Sequence, residues 1–171
     1  MKKIIAALAL ATACLFAAQK ASAIEDPNHK GTLVAGANAG FAYTGAYAYL
    51  DICLVDSWWK GHFTVGPMVG LSTLGYSYGR YLYADLAGRA TYGLNLTEKC
   101  EVHVGTTVGF SLVHDGYNNS DGHRVTHNNV KLLAGGLAGV RYFVTNHLAL
   151  STELVGAGHF PTFNVGVAFK F

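Results

Sequence analysis

Between residues 114 and 129 the chain reads HDGYNNSDGHRVTHNN. His114, Asp115, Asp121, His123 and His127 place imidazoles and carboxylates in one short stretch, a donor set that suits zinc or copper. Their spacing matches no fixed metal motif, and the glycine- and asparagine-rich setting reads as a solvated surface loop. No metal and no cofactor are assigned. Covalent chemistry needs a nucleophile within reach of a base. Ser111 and His114 lie three apart, which is not a same-face spacing on a strand. Glu101, His103 and Ser111 do share a face by parity, and ordinary side-chain packing on that face accounts for them as well. Thr126-His127-Asn128-Asn129 carries no serine. The chain reads as a non-enzyme, with no catalytic residue.

The elements that position these residues are strands. Turn signals fall near Thr44-Gly45, Asp56 to Gly61, Gly75 to Gly79, Thr97 to Lys99, His114 to Asn129, Thr145-Asn146 and Gly158 to Pro161. They divide the chain into eight segments, most of which alternate with period two and none of which shows helical periodicity. From residue 81 to 96, Leu82, Ala84, Leu86, Ala90, Leu94 and Leu96 oppose Tyr81, Tyr83, Asp85, Arg89, Thr91 and Asn95. From 100 to 113, Val102, Val104, Val108, Phe110 and Leu112 oppose Glu101, His103, Thr107 and Ser111. The last segment, FNVGVAFKF, sets five apolar residues against Asn164, Gly166, Ala168 and Lys170. Residues 130–143 alternate less well, because Leu133 and Leu137 share a face with Lys131 and Arg141.

The charges decide which face points outward. Asp51, Asp85, Arg89, Glu101, Lys131, Arg141, Glu153 and Lys170 all fall on the polar face, four acids and four bases, while the other face carries no charge. A charge exposed to lipid costs about 2–4 kcal/mol at mid-bilayer, so a charge-free outer face is what lipid selects. The expected fold is an all-β, eight-stranded antiparallel up-and-down transmembrane barrel. Its lumen should hold the eight charges as a paired network, because an isolated buried ion is costly. Inward Tyr47, Tyr49, Tyr81 and Tyr83 should help fill it, since eight strands leave room only for side chains. A wide pore is therefore not expected. Aromatic girdles are expected at Tyr43, Tyr47, Tyr76 to Tyr83 and Phe160 on one rim, and at Trp58, Trp59, Tyr142, Phe143, Phe169 and Phe171 on the other. An even strand count places both termini on one side, and the longest loop, 114–129, on the other.

The first residues fix the compartment. Lys2 and Lys3, an apolar run from Ile4 to about Ala18, and Ala21-Ser22-Ala23 form a signal-peptide layout, with cleavage expected after Ala23. The run is too short for a transmembrane helix, which needs about 20 apolar residues. Ala11-Thr12-Ala13 before Cys14 is an alternative lipoprotein signal, but Gln19-Lys20 suits conventional cleavage. The expected domains are a signal peptide, 1–23, and one barrel, 24–171. Losing Lys2, Lys3 and Lys20 turns the formal charge of +2 into a slight negative excess, leaving no basic field for nucleic acid. Cys53 and Cys100 fall on strands that are not neighbours in a meander, so no disulfide between them is expected.

Two stretches, GVRYFVTNHLALSTEL (139–154) and the terminal FNVGVAFKF, resemble small outer-membrane β-barrels of the OmpA transmembrane-domain and OmpX type. The resemblance is one of architecture, from about Gly31 to Phe171. It implies an outer-membrane location in a Gram-negative bacterium with periplasmic termini. It also implies contact with outer-membrane lipid and a terminal strand, Phe169 and Phe171 included, read by the barrel-assembly machinery. The function it points to is structural or surface-interacting, as a monomer, with an extracellular partner engaged through loop 114–129. A small-molecule- or lipid-handling barrel is the alternative.

Overall fold

The computed structural model describes residues 28–76, 79–118 and 124–171; the expected signal peptide lies outside them. Eight strands run in sequence order: β1 (Leu33–Phe41), β2 (Thr44–Trp58), β3 (Gly61–Tyr76), β4 (Gly79–Thr97), β5 (Cys100–Asn118), β6 (Arg124–Phe143), β7 (Leu148–Ala157) and β8 (Phe163–Lys170). Each pairs antiparallel with the next, and β8 returns to β1 to close the barrel. Closure gives each strand a neighbour on both sides, which is what a bilayer demands of a spanning sheet.

The strands form where period-two alternation predicts them, and the faces follow. Along β7 exposed and buried residues alternate without a break. On β8, Phe163, Val165, Val167 and Phe169 are 44–47% exposed, while Asn164 and Ala168 are buried. Leu71, Leu86, Val108, Phe110, Leu112, Leu132 and Leu150 continue this outward apolar belt around the wall. Water would penalise so large an uncovered surface; lipid does not.

Turns and lengths differ from the sequence reading in places. The first connection is Ala42-Tyr43, with Ala42 at φ 81°, two residues earlier than expected. Segment 114–129 is not mainly loop. β5 continues to Asn118 and β6 resumes at Arg124, so strand pairing extends from Val113↔Asn129 up to Asn118↔Arg124. Polar, glycine-rich composition resembles a loop, yet each described residue here, 114–118 and 124–129, has a cross-strand partner. β7 pairs with β6 only from Gly135 onward, so residues 124–134 rise beyond it as a projecting hairpin with β5.

Candidate functional site

The lumen holds the only dense assembly of functional side chains among the described residues. Around the ring, His62, Gly93, His103, Gly139, Glu153, Asn164 and Gly40 are successive cross-strand partners from β3 to β8 and on to β1. Large polar residues alternate with glycine except where Glu153 meets Asn164, and the glycines make the room. A Cβ on Gly139 would come within 2.6 Å of His103 Nε2 and 2.7 Å of the Glu153 side chain. A Cβ on Gly36 would collide with the Tyr49 ring.

Five of the eight charged positions converge there. Arg141 reaches Asp51 at 2.8 Å and Glu101 at 2.9 Å. Arg89 reaches Asp51 at 3.1 Å and Glu153 at 3.2 Å. All five residues are at most 2% exposed. The Tyr49 ring lies under both guanidinium groups, 4.0 Å from Arg89 and 5.3 Å from Arg141, so cation–π attraction adds to the ion pairs. Tyr49 also accepts a hydrogen bond from Arg141 Nε, and Tyr47 donates one to Glu153. His103 sits between Glu153, at 2.9 Å, and Glu101, at 3.6 Å. These carboxylates thus meet cationic or hydrogen-bonding groups on several sides, the condition for holding ions in a narrow interior.

Below this chamber the N-terminal segment folds into the end of the barrel at which both termini lie. Gly31, at φ 91°, turns the chain back, and its N–H donates to the Cys53 carbonyl. Asn28 is thereby inserted into the lumen, where its amide donates to Glu101 and approaches His62. The Cys53 thiol bonds to the Asn28 carbonyl, and Cys53 and Cys100 are not joined by a disulfide.

Above the chamber lies an apolar layer. Met68, Ala87, Gly109 and Leu133 are consecutive cross-strand partners. They separate the row containing Arg89 from the row containing Asp85. Leu137, Val155, Ala157 and Phe160 belong to the same buried cluster. Phe160 comes from the β7–β8 loop and packs edge-on against Tyr47 at 5.7 Å. It is 2% exposed and Phe143 is 5% exposed, so both fill the lumen; neither is a girdle residue as the sequence reading had it. Trp58 and Trp59 do lie outside, 52% and 85% exposed.

Three charged positions stand apart. Asp85 faces the mouth opposite the termini, in a row with Ser111 and Lys131. It is buried, with the Ser111 hydroxyl and His159 as its polar neighbours. Lys131 is exposed. Lys170 lies near the other rim, 5.0 Å from the Phe143 ring. Parity fixes a residue's face but not its height, which depends on strand stagger. At the mouth, His159 stacks on Tyr83 with ring centres 3.8 Å apart and bonds to Ser111 through Nδ1 at 3.1 Å. Burial pushes the His159 imidazole below its ordinary range, against the pull of Asp85 and with added push from Lys131.

The other chemistry suggested by the sequence does not assemble. Ser111 joins His159, whereas His103 joins the glutamates. His114 bonds to Asn128. Asp115 is its immediate neighbour on β5 and points to the opposite face. Asp121 and His123 lie outside the described residues. Among the described residues no three of His, Cys, Asp and Glu form a metal-holding group.

No protein-family model and no curated protein matches the chain. Solved structures share its fold. Ail, the attachment invasion locus protein of Yersinia pestis, aligns with a TM-score of 0.57 at 11% identity, over 84% of this chain and 100% of Ail. Ail in complex with the heparin analogue sucrose octasulfate aligns with 0.50 at 12% identity, over 82% and 96%. Neisserial surface protein A aligns with 0.46 at 17% identity, over 82% and 94%. At such identities the likeness is one of fold: the chain has the architecture of a small eight-stranded outer-membrane β-barrel.

Proposed function

We propose that this chain is a monomeric integral protein of a Gram-negative outer membrane, with periplasmic termini, a lumen closed to ions and a surface-interaction role for its extracellular hairpins. The observation that carries this reading is the inversion of the wall: apolar residues outside, charged residues packed inside. The lumen is occupied at three heights, by Asn28, by the arginine–carboxylate chamber and by the layer around Leu133 and Phe160. A filled interior favours a structural or displaying protein over a channel or a lipid-handling enzyme. The surface role draws support from the β5–β6 hairpin, the longest strand pair and the part that rises beyond β7. It draws further support from Ail, an attachment protein of the same fold whose structure with a heparin analogue is known. Removal of residues 1–23 on export, and reading of Phe169 and Phe171 during assembly, belong to the same proposal.

The test is fractionation combined with surface digestion. The mature protein should start at Ile24, partition with the outer membrane and migrate differently before and after boiling. Protease added to intact cells should cut between residues 114 and 129. A soluble periplasmic monomer that needs no detergent would reject the proposal.

A further inference from the structure

We propose that the β2–β3 turn, Ser57 to Lys60, is a binding site for an anionic phospholipid, with the Trp59 indole lodged at headgroup depth and the Lys60 ammonium on the phosphate. The proposal rests on the membrane reading above and names a lipid contact which that reading leaves open.

The turn is built at an energetic cost. Ser57, Trp59 and Lys60 stand at φ 58°, 50° and 68°, the left-handed region that glycine enters freely and a bulky residue rarely does. Such strain persists only where the surroundings over-determine it. Here Tyr92 holds it in place. Its hydroxyl lies 3.0 Å from both the Trp58 and the Trp59 carbonyl, which share its proton. The Trp58 ring packs edge-on against Tyr92 at 5.9 Å and Phe63 at 6.4 Å. Pairing with β3 also slips twice on the way into the turn, between Cys53 and Val55 and between Val55 and Trp58. Bulges re-aim side chains. Leu54 and Val55, consecutive in sequence, are accordingly both exposed.

The side chain held outward is Trp59. At 85% exposed it is the most exposed large apolar side chain among the described residues. Water offers nothing in return for holding an indole there, but a membrane interface does. An indole has an apolar body and one N–H donor, and it collects at headgroup level. Leu54, Val55 and Trp58 carry the lipid-facing belt down to the turn, so hydrocarbon covers the strand end and headgroups meet its tip. Lys60 is exposed and follows Trp59 directly, which sets a cation beside the phosphates. Asp56 lies just before the turn and opposes an anion; it accepts the Lys30 N–H at 3.1 Å.

The chain has two tryptophans, so Trp58→Phe leaves Trp59 as the sole indole reporter, the phenyl ring keeping the contact with Tyr92. The full mature barrel with this change is refolded into phosphatidylcholine vesicles holding a small fraction of spin-labelled phosphatidylglycerol or, separately, of spin-labelled phosphatidylcholine. Trp59 emission should be blue-shifted from that of the urea-unfolded chain. Quenching should give a relative association about fivefold in favour of phosphatidylglycerol, the weight of one lysine at an anionic surface. Lys60→Met should bring that ratio close to one. Lys60→Gly should do the same while keeping boil-dependent migration, because glycine suits φ 68°. Lys99→Met, on the β4–β5 turn of the same rim, should keep the preference. Water-like emission from Trp59 in the inserted barrel overturns the proposal. So does equal quenching by the two lipids, or a preference that survives both Lys60 variants. A chain that never enters the vesicles fails the membrane reading and takes this site with it, whereas an inserted barrel without a lipid preference fails the site alone.

Discussion

The lumen is filled in two different ways a few residues apart. Around Arg89 and Arg141 it is a charged chamber in which guanidinium groups, carboxylates, imidazoles and tyrosines satisfy one another. One cross-strand row higher it is apolar, closed by Met68, Leu133 and Phe160. The charged chamber fills its space with ion pairs and hydrogen bonds, and the apolar layer with side chains that make none. They differ in how they fail. A missing methyl group leaves a void, whereas a missing charge leaves its partners buried and unpaired.

That difference ranks the consequences of mutation. Arg141→Met should be the most damaging, because Asp51 and Glu101 both lose their 2.8–2.9 Å partner. The expected loss is about 3–5 kcal/mol, read by urea unfolding in lipid vesicles. A loss no greater than that of a lipid-face substitution would mean that water hydrates the chamber. Leu133→Ala removes a 1% exposed side chain from the apolar layer and should cost about 2–4 kcal/mol in the same assay.

Cutting away residues 24–29 should act more gently, since it removes the Asn28 contacts and leaves the wall intact, at about 1 kcal/mol per net hydrogen bond lost. Its clearer signature is chemical. Cys53, 2% exposed beneath Asn28, should become alkylated faster in a Cys100→Ser background. An unchanged rate would show that the segment does not cover this end of the lumen. Leu86→Val, on the 59% exposed outer face, should change stability least, by less than the roughly 0.8 kcal/mol of one fully buried methylene.

The ranking also separates what the sequence could and could not say. Parity alone put Asp51, Arg89, Glu101, Arg141 and Glu153 inside and Leu86 outside, because a strand has only two faces and lipid tolerates no charge on one of them. The strand count and ring order followed from turn spacing. Height was not legible. Asp85, Lys131 and Lys170 share parity with the chamber yet lie beyond it, since stagger depends on pairings that no single strand encodes. Leu133 and Leu137 looked like weak alternation in residues 130–143, when in fact both point into the lumen, Leu133 in the apolar layer and Leu137 beyond the Arg89 row. Asn28, His159 and Phe160 belong to no periodic segment, so nothing in their spacing announced that they enter the lumen. Phe143 and Phe160 resembled girdle aromatics because terminal aromatics occur on either face of a strand end.

The central claim is that packed side chains close the lumen at three heights, and planar-bilayer conductance tests it most directly. The parent, Arg89→Met and Leu133→Ala should each give no steady current, because the intact layers still block the path. The double variant Arg89→Met/Leu133→Ala, with residues 24–29 also removed, should conduct small ions. A steady, ohmic current through the folded parent barrel would contradict the account.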